Sequence, residues 1–159
     1  NVMNFYGKIA GLALGISFLG MTAVQASVPQ DALAAGGIAY GASESYVRSI
    51  YGAPREVETK YDSMYAGSHV TEWEYGSDFD IIFVDGVVRQ IEVGARNGIY
   101  TQDNITVGSD LSALIAAYGQ PDVIHGDDYI YRVDGDNSVG LTFEIEHGRV
   151  AEFCVGTIR

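Results

Sequence analysis

The residues best equipped for chemistry are three histidines, one cysteine and a surplus of carboxylates. His69, His125 and His147 are scattered, with no His-Glu-x-x-His run and no Cys/His cluster at metal-ligand spacing. In His125-Gly-Asp-Asp128 an imidazole and two carboxylates stand close enough to share a cation, but a polar loop accounts for the same residues. Asp134-Gly-Asp-Asn-Ser138 opens like a calcium loop. Val139 then stands where that loop needs glycine, and Ile145 where it needs its bidentate Glu. A hairpin loop is the better account. His147, before Gly148, reads as the first residue of a turn. Cys154, between Phe153 and Val155, reads as a small half-buried strand residue and not as a nucleophile. Being alone, it forms no intrachain disulfide. The carboxylates are spread over a surface instead of meeting in an apolar pocket, where a general acid/base pair would be tuned. Catalysis is therefore not expected, a small hydrolase is the weakest reading, and no metal or cofactor is implied.

What remains is binding. The chain has 21 Asp and Glu against 9 Lys and Arg, a net charge of −12. Such a balance repels nucleic-acid backbones and anionic membrane surfaces, and steers basic partners. Lys8 is the sole charged residue up to Ala26. It precedes an apolar run over residues 9–24, and Val24-Gln25-Ala26 supplies small residues at a cleavage site. Residues 1–26 are thus expected to be a signal peptide, with residues 27–159 secreted or periplasmic and no stable membrane anchor after cleavage. No Cys follows the apolar run, which excludes a lipoprotein anchor.

The elements that must position any site announce themselves by repetition. Residues 38–57 superimpose without a gap on residues 105–124, a shift of 67 positions, with identities at Ile38/Ile105, Gly41/Gly108, Ser45/Ser112, Tyr51/Tyr118, Gly52/Gly119 and Pro54/Pro121. The spacing predicts helices over 43–51 and 109–118, capped by Ser43 and Ser109 and closed by Gly52 and Gly119. A shorter helix fits 30–35. Strands are expected over 55–61, 70–75, 79–84 and 87–93, then 122–125, 129–133, 139–146 and 149–155. Asp85-Gly86 and His147-Gly148 serve as two-residue hairpin turns. The organisation expected is one repeat unit over 27–94, a linker over 95–104 and a second unit over 105–159.

Strand alternation then assigns two faces. Trp73, Tyr75, Phe79, Ile81, Phe83, Ile91 and Val93 share one side with Tyr131, Val133, Leu141, Phe143, Ile145, Phe153 and Val155; this is the expected core. The other side carries Glu72, Glu74, Asp80, Gln90 and Glu92, then Arg132, Thr142, Glu144, Glu146 and Glu152, with Ile82, Val84 and Val88 as an apolar island. An antiparallel sheet with one covered face gives this pattern. The second half lacks the loop at 60–68, where Tyr61, Met64 and Tyr65 stand among small polar residues; such side chains suit a protein contact, or tuck beneath the loop. The candidate partner-binding set is Tyr61, Met64, Tyr65, Glu72, Glu74, Ile82, Glu92, Arg132, Glu144 and Glu146. The partner expected is another protein, a basic one in particular. The alternative is an envelope-assembly or structural role through pairing at the sheet edges.

The helix ending in Tyr-Gly-x-Pro, entered through Ile-x-x-Gly and followed by antiparallel strands, resembles a known group. Through ITVGSDLSALIAAYGQPD from Ile105, the hairpin at Gly148, and more loosely Ile38-Ala-Tyr-Gly41 and Tyr51-Gly-Ala-Pro54, the chain is similar to the superfamily joining the β-lactamase inhibitory protein to the SmpA/OmlA (BamE-type) envelope proteins. That resemblance implies an α+β fold: two tandem helix-plus-antiparallel-meander repeats forming one curved sheet, helices on one face and a concave face gripping another protein. The inhibitory protein's disulfides and the envelope proteins' lipid anchor are both missing here, and no inhibitory residue carries over.

Overall fold

A computed structural model describes residues 27–159; the expected signal peptide over 1–26 lies outside the described residues. Two eight-residue helices, α1 (Glu44–Tyr51) and α2 (Leu111–Tyr118), form where the apolar spacing places them. Ser43 caps α1, its hydroxyl accepting from the Tyr46 N–H at 3.1 Å. Ser109 does not cap α2. The N-cap is Asp110, which makes no side-chain cap bond, while the Ser109 hydroxyl accepts from the Thr106 N–H at 3.0 Å. Its hydroxyl is committed to tightening the entry turn, so α2 starts two residues later than spacing suggests. Gly52 and Gly119 end the helices at φ 76 in both cases, a backbone setting that costs L residues strain.

Residues 30–35 are not a helix. A single 3₁₀ turn at Gln30–Ala32 gives way to β1 (Ala34–Ala35), which pairs with β2 (Ile38–Ala39). Six residues rich in alanine are too few to pay for helix nucleation, and the hairpin to Ile38 wins.

The remaining strands are β3 (Glu56–Lys60), β4 (Val70–Glu74), β5 (Phe79–Val84), β6 (Val87–Val93), β7 (Val123–His125), β8 (Asp128–Val133), β9 (Asp136–Glu146) and β10 (Arg149–Thr157). They make one eight-stranded antiparallel sheet in the order β3-β4-β5-β6-β10-β9-β8-β7. Each half is a meander, and the halves meet where β6 pairs with β10. The class is α+β. Asp85-Gly86 (φ 50, 83) and His147-Gly148 (φ 49, 73) are the expected two-residue turns.

One set of bonds is made in both halves. The Gly41 N–H donates to the Val88 carbonyl and the Gly108 N–H to the Val150 carbonyl, both at 2.7 Å. Val88 returns a bond to Ala42, and Val150 to Ser109, both at 2.9 Å. These bonds clamp the entry of each helix to the strand after its own hairpin turn. Beyond the helices, the Tyr75 hydroxyl donates to the Gly52 carbonyl at 3.0 Å and the Tyr131 hydroxyl to the Gly119 carbonyl at 2.8 Å, answering carbonyls left open at the helix ends. The segment read as a linker is pinned: Thr101 is buried, and its hydroxyl accepts from the Ile105 N–H at 3.1 Å and the Tyr118 hydroxyl at 2.7 Å.

Both helices cover the same face of the sheet. Val47, Leu114 and Tyr118 join Trp73, Phe79, Ile81, Phe83, Ile91, Val93, Tyr131, Leu141, Phe143, Phe153 and Val155 in one core, with Tyr75 and Ile145 packed against it. Val88 belongs to this core and not to the apolar island on the other face. The ladder between β5 and β6 shifts register after Ile82, so that Phe83 faces Val88, with Arg89 as the extra residue. A bulge of this kind reverses the alternation rule beyond it. β10 carries the matching irregularity between Val150 and Glu152, which likewise turns Val150 inward.

Candidate functional site

The sheet face opposite the helices is built from two rows of residues that run across the strands. One row reads Glu58, Glu72, Ile82, Gln90, Gly156, Gly140 and Arg132. The next reads Glu56, Glu74, Asp80, Glu92, Cys154, Thr142 and Ile130. Beside this row Glu152, Glu144 and Asp128 oppose one another on β10, β9 and β8. Carboxylates are thus paired directly with carboxylates at Glu56/Glu74, Glu74/Asp80, Asp80/Glu92, Glu152/Glu144 and Glu144/Asp128. Opposed like charges weaken a ladder.

Electrostatics follows from that placement. Burial and then the charges of Glu72, Glu74 and Asp78 push the Asp80 carboxyl above its usual range, with Lys60 offsetting part. Glu92 is pushed the same way by burial, Glu72, Asp80 and Glu152, with Arg159 opposing. Glu144 rises through desolvation and the charges of Glu152, Glu146, Asp128 and Asp127. Among the described residues none of these three carboxylates has an ion pair. Toward the β3 end of this face two cations are held by carboxylates. Lys60 pairs with buried Glu72 and lies 3.7 Å from Glu58. Arg159 pairs with Asp62 and donates to the Gln90 Oε1 at 2.9 Å.

The face is less open than alternation implies. Gln90 is 2% exposed, and Val70, Ile82 and Val84 form a second apolar cluster with Tyr65 packed on it. The cover comes from the loop between β3 and β4. Asp62 starts its 3₁₀ turn, Ser63–Tyr65, by accepting from the Met64 N–H at 2.9 Å. The turn lays Tyr65 across the sheet, where its hydroxyl bonds the Thr157 Oγ1 on β10. Three depressions adjoin along the face. The largest, about 510 Å³, lies between Lys60, Tyr61, Ile82 and Glu92; about 230 Å³ follows between Glu92, Ile130, Glu152 and Arg159, and about 200 Å³ between Glu144, Asp128 and Cys154.

The candidate residues therefore divide. Glu72, Ile82 and Glu92 line the largest depression with Tyr61, and Glu144 lines the smallest. Tyr61 is 86% exposed and Met64 51%, whereas Tyr65 is partly buried and structural. Glu74 sits in the carboxylate row, and Glu146 faces Arg149 at the far hairpin. Arg132 stands at the distant end of its row. Its N–H donates to Asp122 at 2.6 Å, and its Nε is buried with no hydrogen-bond partner among the described residues. Sequence reasoning overlooked Lys60 and Arg159. Lys60 alternates with Glu56 and Glu58, which was signal enough; Arg159 lies beyond the last strand, where no periodicity marks it.

Burial and the nearby Glu92 charge push the Cys154 thiol up to about 12, so it stays protonated and non-nucleophilic at neutral pH. Its sulfur accepts from the Gln90 amide at 3.7 Å. Among the described residues no group of three or more His, Cys, Asp and Glu is placed to hold a metal. No helix among them is long and apolar enough to cross a membrane.

No family model and no curated protein matches the chain. Two solved structures are similar in fold. An extracellular protein containing a SCP domain, from Bacillus anthracis str. Ames, matches 98% of this chain with a TM-score of 0.53 at 8% identity. A cysteine-rich secretory protein from Staphylococcus aureus subsp. aureus Mu50 matches 83% of it with a TM-score of 0.46 at 9% identity. This chain spans about half the length of each, 50% and 49%. The likeness is one of fold alone. It replaces the expected resemblance to the β-lactamase inhibitory protein and the BamE-type envelope proteins. The Tyr-Gly-x-Pro helix end that suggested them is a helix-stop device that any fold with this turn can use.

Proposed function

We propose that the chain is an exported, non-enzymatic protein-binding module, and that its open sheet face docks a basic polypeptide. The observation that carries this is the directly opposed carboxylates on adjacent strands. A sheet that only needed to stay soluble would alternate signs across the ladder. Here the fold tolerates repulsion that a cationic partner would relieve, as expected of a site built for binding at some cost in stability. The non-enzymatic reading draws on the same geometry, since the carboxylates stand in rows and converge on no nucleophile. Export accords with the apolar, small-residue leader and with the Bacillus anthracis protein of similar fold being described as extracellular.

We also read the two halves as tandem copies of one helix-plus-meander unit. The doubled clamp at Gly41 and Gly108 and the matched irregularities at Arg89 and Ala151 support it. Bulges bend the strands that carry them, which favours a curved sheet. Edge pairing is the weaker reading. β7 offers only three residues, and β3 guards its edge with Glu56, Glu58 and Lys60.

The test is affinity capture of exported proteins by the mature chain and by its Glu92→Lys, Glu144→Lys double variant, at low and at high salt. A basic protein held by the wild type, released by salt and missed by the variant supports the proposal. A captured set indifferent to both changes refutes it.

A further inference from the structure

The trough formed by the three adjoining depressions carries a more specific assignment, which rests on the reading of this face as a docking surface. From its geometry we infer that the occupant is an extended polypeptide segment bearing arginine, with one guanidinium seated over Glu92 and Glu152. Glu92 is where the two larger depressions meet. Among the described residues its carboxylate takes part in no ion pair, and burial together with Glu72, Asp80 and Glu152 disfavours its charge. Glu152 lies two residues before Cys154, the direct partner of Glu92, and so stands on the same face in the diagonal position. Two carboxylates in that diagonal relation present acceptors on either side of a planar donor.

The floor explains why arginine fits better than a bare cation. Val70 and Ile82 lie under the first depression and Ile130 under the second. An aliphatic stem covers such surface while its charged head stays among carboxylates. The guanidinium is weakly hydrated and offers a rigid fork of donors, so a half-buried acidic trough selects it over lysine's strongly hydrated ammonium.

The chain supplies its own example. Arg159 lies at the junction of the same two depressions, with its guanidinium shared between Asp62 and Gln90. One arginine thus already rests in the trough, directly beside the unpaired Glu92. Charge also excludes the other occupants: a second copy of this acidic chain, a nucleic acid and an anionic lipid surface would each add to the repulsion.

Fluorescence anisotropy on the whole mature chain tests this with a short labelled peptide alternating Arg and Gly. Matched peptides carry Lys or citrulline in place of Arg, and spermidine serves as a competitor. The Arg peptide should bind about tenfold tighter than the citrulline peptide, and more tightly than the Lys peptide. Glu92→Gln with Glu152→Gln should weaken it about tenfold, while Glu58→Gln at the outer strand leaves it unchanged. Arg159→Ala, which removes a competing guanidinium, should tighten it. Equal binding of the Arg and Lys peptides, displacement by spermidine as effective as by peptide, or binding indifferent to the double variant each overturns the assignment. If capture of a basic protein still responds to salt and to the Lys variants, the face reading survives that failure. If both fail, it falls too.

Discussion

Asp80 on β5 and Glu92 on β6 stand directly opposite each other in the ladder, and among the described residues neither forms an ion pair. Glu74 extends the confrontation to β4 and Glu56 to β3. Asp80→Asn or Glu92→Gln should therefore stabilise the fold at neutral pH and low salt, by about 0.5 kcal/mol each, since opposed like charges cost a few tenths to one kcal/mol. Added salt should raise the unfolding midpoint of the wild type and narrow its gap to the variants. Urea unfolding checks this. Destabilised variants would mean that the row is internally satisfied and needs no partner.

The same row sets a pH dependence. Asp80, Glu92 and Glu144 have folded-state pKa values raised above the ordinary 3.8 and 4.5. A carboxyl raised on folding holds its proton more tightly in the folded state, so its stabilising contribution is complete below the unfolded value and is lost as pH rises through the folded one. Asp62 and Asp85 are lowered, Asp62 by its bond from Arg159 and then the Met64 N–H, Asp85 by the His69 N–H and then Ser68. Their contributions are lost as pH falls through values below 3.8. Thermal stability should thus climb as pH drops from neutrality toward the ordinary carboxylate range and collapse below it. Glu92→Gln with Glu144→Gln should flatten the climb. A midpoint that only rises toward alkaline pH would contradict the raised carboxyls.

How far this was legible follows from where local rules hold. The helix stops at Gly52 and Gly119, the turns at Asp85 and His147, and the core faces of Phe83 and Phe143 are local matters of spacing and φ, and alternation resolves them. The α2 cap failed because Ser109 had two uses for one hydroxyl, and sequence cannot rank them. Val88 was misplaced because a bulge at Arg89 carries no composition signal. Arg159 escaped for a third reason, which also left Tyr65 open between a partner contact and a place beneath the loop. Both act across the sheet on the β6–β10 seam, a contact between distant segments that no periodic pattern encodes.

Two glycines in strands show how closely neighbouring backbones approach, one at the β6–β10 seam and one between β8 and β9. A Cβ at Gly156 would lie 2.0 Å from the Arg89 carbonyl oxygen, and one at Gly140 would lie 2.0 Å from the Tyr131 carbonyl oxygen. Both contacts are with backbone, which cannot swing aside. Gly156→Ala and Gly140→Ala should each cost about 3 kcal/mol. Gly86→Ala has open space, and should cost about 1 kcal/mol for its positive φ alone. Chemical denaturation that ranks the turn variant as worst would refute the close approach.

The tyrosines behind the helices give a graded comparison. Tyr131 is fully buried, and burial raises its hydroxyl pKa. Removing that hydroxyl in Tyr131→Phe leaves the Gly119 carbonyl without its donor, at about 1–2 kcal/mol. Tyr75→Phe breaks the equivalent bond to Gly52 in a wetter setting, where water replaces the donor, and should cost less. Equal losses would mean that the two helix ends are equally dry.

The loop between β3 and β4 separates structure from contact within three residues. Tyr65 covers Val70, Ile82 and Val84 and ties the loop to Thr157, so Tyr65→Ala should cost about 2 kcal/mol and disturb the trough indirectly. Tyr61 and Met64 are exposed and cover no core. Tyr61→Ala and Met64→Ala should change stability by less than about 0.5 kcal/mol. If these side chains meet the partner, each should nonetheless weaken its binding several-fold, since an exposed aromatic or thioether beside a groove gains area only on association. Unfolding and binding measured on the same three variants separate the roles. Loss of binding confined to Tyr65→Ala would move the contact from the loop tip to the trough itself, because only there does the loop shape the sheet face.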